Sequence, residues 1–238
     1  MSSFPLHYSL LNRDRHCPWH IALGFVQHGL LCSLMAKLYF YYSSMNAGKS
    51  TTLLQADFNY RERGMNTMVW TAALDDRYGQ GYVTSRIGLQ AEACKFSPES
   101  DLWNDIVAEH HSNPLACVLI DEAQFLSREQ VLQLARIADE AAIPVLCYGL
   151  RTDFAAELFP GSAALLGLAD ALVELKAVCH CGRKSTMNLR VDAEGNAVID
   201  GKQTEIGGND RYIAMCRRHF MEARKESAAH SALSLETT

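Results

Sequence analysis

The sequence predicts an α/β fold: a P-loop parallel sheet with helices on both faces, followed by a small zinc-binding β lobe. Three observations carry that expectation. Residues 36–176 alternate strand-like and helix-like segments. The run Ser43-Ser44-Met45-Asn46-Ala47-Gly48-Lys49-Ser50 stands between an extended aromatic segment and a helix-like one. Further on, a tight turn with two thiols and a later thiol–imidazole pair flank a hairpin pattern.

Residues 1–34 carry His7, His16, His20 and His28 with Pro5 and Pro18, and differ in texture from residues 36–176. We expect an upstream extension that contributes no chemistry, with Met35 a candidate start codon. A secretory signal is the alternative, because Arg13 and Arg15 precede an apolar stretch. Strands are expected at 37–42, 67–71, 116–120, 144–148 and 171–175, and helices at 49–62, 100–111, 128–141 and near 162–167. Pro144 opens the fourth strand, a position that tolerates it. The P-loop domain therefore spans 35–176. Between 74 and 98 lies a polar, Gly-containing stretch without clear periodicity, the kind of long loop that often carries function. The zinc lobe spans 177–222, with a hairpin of Thr186 to Val191 and Ala197 to Ile199 around Glu194-Gly195-Asn196. Residues 223–238 form a tail, rich in Ser, Ala and Thr from Ser227 and expected to fray.

Strand, tight loop, Gly-Lys-Ser and helix is the context that makes a phosphate-loop pattern physical. Backbone N–H groups and the helix N-terminus surround an anion there. Lys49 reaches the outer phosphates and the Ser50 hydroxyl holds Mg²⁺. The usual opening Gly is replaced by Ser43. The apolar run Ala116-Cys117-Val118-Leu119-Ile120 ends in Asp121-Glu122, as a buried parallel strand with acids at its carboxyl end does. Ligands of open α/β sheets bind at that edge. Asp121 is placed to bind Mg²⁺ through water, and Glu122 to act on a nucleophile.

Composition narrows the function classes. Net charge is −5 with no long basic block, which argues against binding nucleic acid through phosphate contacts. No apolar run reaches the length of about 20 residues that spans a bilayer, so no membrane partner is expected. The eight cysteines lie in apolar runs or cluster with His, a usage that suits a reducing cytosol better than a disulfide framework. Cys179, Cys181, Cys216 and His219 supply three thiols and one imidazole in two close pairs, the ligand set of tetrahedral structural zinc. His180 competes for a ligand role. Unpaired structural thiols and a redox pair are the alternatives. Four protein ligands leave no open position for catalysis.

Taken together, Tyr42 to Thr51, Asp121-Glu122-Ala123-Gln124-Phe125, Tyr148 to Phe154, the cysteine pairs and Ile206-Gly207-Gly208-Asn209-Asp210-Arg211-Tyr212 resemble thymidine kinase of the cellular, zinc-containing type. The bacterial branch is the nearest, over about residues 36 to 222. The resemblance implies transfer of the γ-phosphoryl of ATP to the 5′-hydroxyl of thymidine, and of deoxyuridine, with Glu122 accepting the hydroxyl proton. It places Ser43, Ser44, Met45, Asn46, Ala47, Gly48, Lys49, Ser50, Asp121, Glu122, Ala123 and Gln124 at the ATP site. Asp75 and Arg77 match an Asp-x-Arg-Tyr near the substrate, where Arg77 offsets charge on the transferred group. Arg86 is a weaker candidate of the same kind. A loop of the zinc lobe, Gln203, Thr204, Glu205, Ile206 and Gly207, covers the base largely through backbone groups, with Tyr212 beside it. Phe125, Phe154 and Phe159 are candidate apolar walls. A homotetramer in the cytoplasm is expected on the same ground. Two other classes fit parts of the pattern: a nucleic-acid-dependent ATPase with a zinc ribbon, and a non-catalytic nucleotide-binding regulator.

Overall fold

The computed structural model describes residues 36–74, 81–201, 203 and 211–236, with side chains up to 228. All fall within one compact unit of the chain. The expected extension at 1–34, and Met35, lie outside the described residues.

The first strand, β1 (Leu38–Ser43), turns through Ser44–Gly48 into α1 (Lys49–Arg61). β2 (Asn66–Ala72) follows, then three short strands, β3 (Tyr82–Thr84), β4 (Gln90–Glu92) and β5 (Cys94–Phe96). Helix α2 (Leu102–Ser112) leads into β6 (Leu115–Ile120), a 3-10 turn Ala123–Phe125 and α3 (Arg128–Glu140). β7 (Val145–Leu150), α4 (Pro160–Leu168) and β8 (Ala171–Glu174) complete the main sheet. That sheet has the order β5-β2-β6-β7-β1-β8, and every neighbouring pair is parallel.

Period-two alternation explains why the central strands read as unbroken apolar runs. In β6, Val118 and Ile120 join the core under α2, α3 and α4, while Cys117 and Leu119 face the core under α1. In β7, Val145 and Cys147 take the first side, Leu146 and Tyr148 the second. A parallel strand covered by helices on both faces has no polar side. Sequence caps set the register of the helices on one face. Asp101 accepts from the N–H of Asn104 at 3.1 Å, and Ser127 forms a reciprocal capping box with Gln130.

Three expectations need correction. The stretch 74–98, expected to be an irregular loop, contains β3 and β4 as an antiparallel pair, and β5 extends the sheet beside β2. Strands of three residues are too short for an alternation to register. The hairpin around Glu194-Gly195-Asn196 forms at its tip, with the antiparallel bridge Val191 to Ala197 and the N–H groups of Asp192 and Val198 donating to the carbonyls of Asn196 and Arg190, but the longer ladder of β11 (Met187–Arg190) is made with β12 (Tyr212–Met215). The tail does not fray at Ser227, because α5 runs from Arg217 to Glu236. Its Ala, Glu, Lys and Leu residues are good helix formers, with no Gly or Pro to stop them. β9 (Ala177–Val178) and β10 (Lys184–Ser185) form a further antiparallel pair at the start of the small lobe.

Candidate active site and metal centre

The loop Ser44–Gly48 leaves the carboxyl end of β1, and Gly48 stands at φ +80° just before α1. A Cβ on Gly48 would meet nothing within 4 Å, so glycine is required there by backbone conformation rather than space. Asn46 is also left-handed, at φ 64°, a region Asn tolerates better than most residues. Unlike α2 and α3, α1 begins with no side-chain cap and no acid in its first turn. An uncapped N-terminus with its positive dipole end suits an anion. Lys49 lies over the loop, its Nζ donating to Ser43 Oγ at 3.3 Å and the Ser44 carbonyl at 3.1 Å. Ser43 thus serves as a hydrogen-bonding partner where the usual glycine offers none.

The second wall is built by β6. Ser50 Oγ donates to Asp121 Oδ2 at 2.9 Å, joining the start of α1 to the end of that strand. Burial, and then the charge of neighbouring Glu122, push the Asp121 carboxyl up to about 7. A buried acid with a hydroxyl partner at a phosphate loop is suited to a divalent cation, whose charge removes that penalty. Glu122 follows with φ 51° and ψ 38°, a left-handed conformation strained for a non-glycine residue. Gln124 Nε2 donates to Glu122 Oε2 at 2.5 Å, and Gln124 Oε1 accepts from the N–H of Leu150 at 3.0 Å. Gly149 makes room for this: its Cβ would stand 3.0 Å from both the N and Oε1 of Gln124. Gly161 on α4 likewise admits the turn, because a Cβ there would meet the Ala123 carbonyl at 2.5 Å. The carboxylate of Glu122 is therefore aimed by a buried amide fixed to β7.

The exit of β7 carries a third set. Asp153 Oδ1 accepts from the N–H groups of Ala155 at 2.8 Å and Glu157 at 2.9 Å, and its Oδ2 accepts from Gln203 Nε2 at 3.0 Å. Gln203 thus lies at the mouth of this turn. Phe154 is buried, with the Arg190 guanidinium 4.3 Å above its ring. Phe125 meets Phe159 edge-on at 5.8 Å. Tyr212 pairs with Arg190 across the β11–β12 ladder. Arg86 is exposed. Asp75, Arg77, Thr204, Glu205, Ile206 and Gly207 lie outside the described residues.

In the small lobe the ligand atoms of Cys179, Cys181, Cys216 and His219 all lie within 4.8 Å of one another. Cys179 Sγ is 3.4 Å and Cys216 Sγ 3.6 Å from His219 Nδ1, and Cys181 Sγ is 3.9 Å from Cys216 Sγ. Tetrahedral zinc with ordinary bond lengths needs about 3.8 Å between sulfurs and about 3.5 Å from sulfur to nitrogen. The donor set fits. The Cys181 backbone N–H, and then the His219 ring, hold the Cys179 thiol well below its usual range, at about 5, which favours the thiolate a metal takes. Glu222 Oε2 lies 3.9 Å from His219 Nε2, beyond direct hydrogen-bond reach, while its Oε1 accepts from Arg218 Nε at 2.8 Å. His180, the rival ligand, stacks on His219 with ring centroids 4.2 Å apart and stays outside the four.

Residues 36–220 match the family profile described as thymidine kinase. This chain belongs to the thymidine kinase family. It is similar to a thymidine kinase of Novosphingobium aromaticivorans, 74% identical over 189 residues that cover 79% of this chain and 98% of the relative. A thymidine kinase of Zymomonas mobilis is 66% identical over 79% of this chain and 97% of its own length. One from Vibrio cholerae is 60% identical over 79% and 98%. As a member of that family the chain is a kinase that acts on a nucleoside with ATP as donor. Among the described residues no helix is long and apolar enough to cross a membrane.

Reading the sequence missed two contributors. Ser185 and Asn188 of the small lobe reach the phosphate loop: Ser185 Oγ lies 3.1 Å from Ser44 Oγ, and Asn188 Oδ1 accepts from the N–H of Met45 at 2.7 Å. Met187, Asn188, Leu189 and Arg190 fall in the strand-like run Thr186 to Val191, and all four are buried.

Proposed function

We propose that this chain transfers the γ-phosphoryl group of ATP to the 5′-hydroxyl of thymidine, and of deoxyuridine, giving the nucleoside monophosphate in the salvage route to DNA precursors. The observation that carries this reading is the Ser50–Asp121 contact, which brings the phosphate loop and the Glu122 carboxylate to one sheet edge. Residues Ser43 to Ser50 and Asp121 to Gln124 form the ATP site. Lys49 neutralises the outer phosphates. Ser50 and Asp121 would hold Mg²⁺, which would neutralise charge on the phosphates. Glu122 accepts the proton of the 5′-hydroxyl as the nucleophile attacks. Asp75 holds the substrate and Arg77 offsets charge on the transferred group. Gln203 to Gly207, with Phe125, Phe154 and Tyr212, enclose the nucleoside.

Cys179, Cys181, Cys216 and His219 bind a structural zinc. That lobe, 177–222, is too small to stabilise itself by burial alone. Its role is to anchor the loop that covers the base. Residues 1–34 add no chemistry. The enzyme works as a homotetramer in the cytoplasm without a nucleic-acid partner. The test is an assay with ATP and labelled thymidine, run with wild-type protein and Glu122→Gln. Thymidine phosphorylation that falls about 10²–10⁴-fold in the variant supports the reading. ATP hydrolysis stimulated by DNA, with no thymidine monophosphate formed, overturns it.

A further inference from the structure

We propose that Asn188 is a positioning residue for the phosphate loop, a strut through which the small metal-binding lobe sets ATP affinity. Asn188 sits in β11 and is 2% exposed. Its Oδ1 accepts from the backbone N–H of Met45 at 2.7 Å, and its Nδ2 donates to the carbonyl of Thr152 at 3.2 Å. The partners themselves decide which end of the amide is which, because an N–H requires the oxygen and a carbonyl requires the NH₂. One side chain therefore ties three segments together: the loop after β1, the exit of β7 and the small lobe.

The strand alternates in a way that makes this tie mechanical. Met187 and Leu189 pack in the lobe core with Cys179 and Cys216, while Asn188 between them reaches the loop. Ser185, also buried, adds a hydroxyl contact to Ser44 at 3.1 Å. The anchored N–H belongs to the residue just before Asn46, whose left-handed backbone costs free energy to hold. Fixing Met45 keeps the loop in the shape that presents its following N–H groups and Lys49 to phosphate. Met45's own N–H is already committed to Asn188. The strut acts through the loop and touches neither reacting atom.

The inference rests on the kinase reading above, and the two fail separately: wild-type protein that phosphorylates no thymidine rejects that reading, whatever Asn188 does. The strut is tested with Asn188→Leu, which keeps the branched heavy-atom skeleton of the side chain and removes both hydrogen bonds. The readouts are ADP affinity by calorimetry, KM for ATP and for thymidine, and exchange protection of the Met45 amide. We expect ADP affinity and KM for ATP to worsen about tenfold, the scale of one lost hydrogen bond with its donor left unpaired. KM for thymidine should move by less than about threefold, and the Met45 amide should lose protection. Unchanged ADP affinity in the folded variant overturns the proposal. So does a change confined to the KM for thymidine, which would make Asn188 a nucleoside contact. Should Asn188→Leu not fold, Ser185→Ala carries the test with an expected two- to threefold rise in KM for ATP, about that of a single weak hydroxyl contact. An unprotected Met45 amide in the wild-type protein also overturns it.

Discussion

Replacing Gln124 by Leu removes the group that aims Glu122 and leaves the carboxylate itself in place. Two bonds are lost: Nε2 to Glu122 Oε2 at 2.5 Å, and the Leu150 N–H to Oε1 at 3.0 Å. The first is charge-assisted, worth about 1.5–3 kcal/mol; the second leaves a backbone N–H without its partner, at about 1–3 kcal/mol. Leu has nearly the volume of Gln, so little is added by cavity formation at this buried position. The two terms overlap and are not additive, so we expect about 2–4 kcal/mol of destabilisation in all. For a domain of this size that lowers Tm by roughly 5–15 °C. Glu122 then samples orientations that do not meet the 5′-hydroxyl, and kcat should fall about 10–100-fold. The decisive assay is a double-mutant cycle on kcat with Glu122→Gln. If Gln124 acts by aiming the carboxylate, adding Gln124→Leu to Glu122→Gln costs little more. A full, additive loss in the double variant refutes the reasoning. So does a Gln124→Leu enzyme whose kcat holds while its KM for ATP rises, since Gln124 would then act on the nucleotide alone.

Chelating the metal should lower the melting temperature and raise the KM for thymidine, because the lobe that carries Gln203 loses its cross-link; an unchanged KM in folded, metal-free protein contradicts this. The stability of the ligand-free protein should carry a pH signature from Asp121. Its folded value is raised above the unfolded one, so its stabilising share is complete below about pH 3.9 and is lost as pH rises through about 7. Asp121→Asn should remove that slope and gain on the wild type from about pH 4 to about pH 7; parallel melting profiles for the two proteins count against it. Gly48→Ala should cost about 1–2 kcal/mol through φ +80° alone and weaken ATP binding, since no neighbour lies within 4 Å of the new methyl. A variant as stable as wild type in thermal melts would show that the backbone relaxes there.

Much of the architecture is legible in the sequence because it follows from local rules. The branched and aromatic runs that form β1, β2, β6, β7 and β8 announce parallel strands, and the Gly-Lys-Ser between a strand and a helix announces an anion site. The four candidate metal ligands are legible by type and pairing, and the fold brings their ligand atoms to within 4.8 Å of one another. β5 is not legible, since a three-residue edge strand depends on β2 for its hydrogen bonds rather than on its own pattern. The continuation of α5 past Ser227 is hidden by a composition of Ser and Ala that suggests a tail, although Ala is the strongest helix former.

What the sequence determined by itself is chemistry that resides in residue type at short spacing: a lysine and a hydroxyl at a left-handed glycine, two acids ending an apolar strand, three thiols and an imidazole. What only the tertiary structure decided is how those groups are held. Gln124 reaches Glu122 because β7 supplies Leu150 as its other partner, and Asn188 reaches Met45 across 143 positions of chain. No local pattern encodes such contacts. Asn188 and Arg190, the polar residues of Met187–Arg190, are buried because the small lobe packs there, Asn188 against the loop and Arg190 against the Phe154 ring.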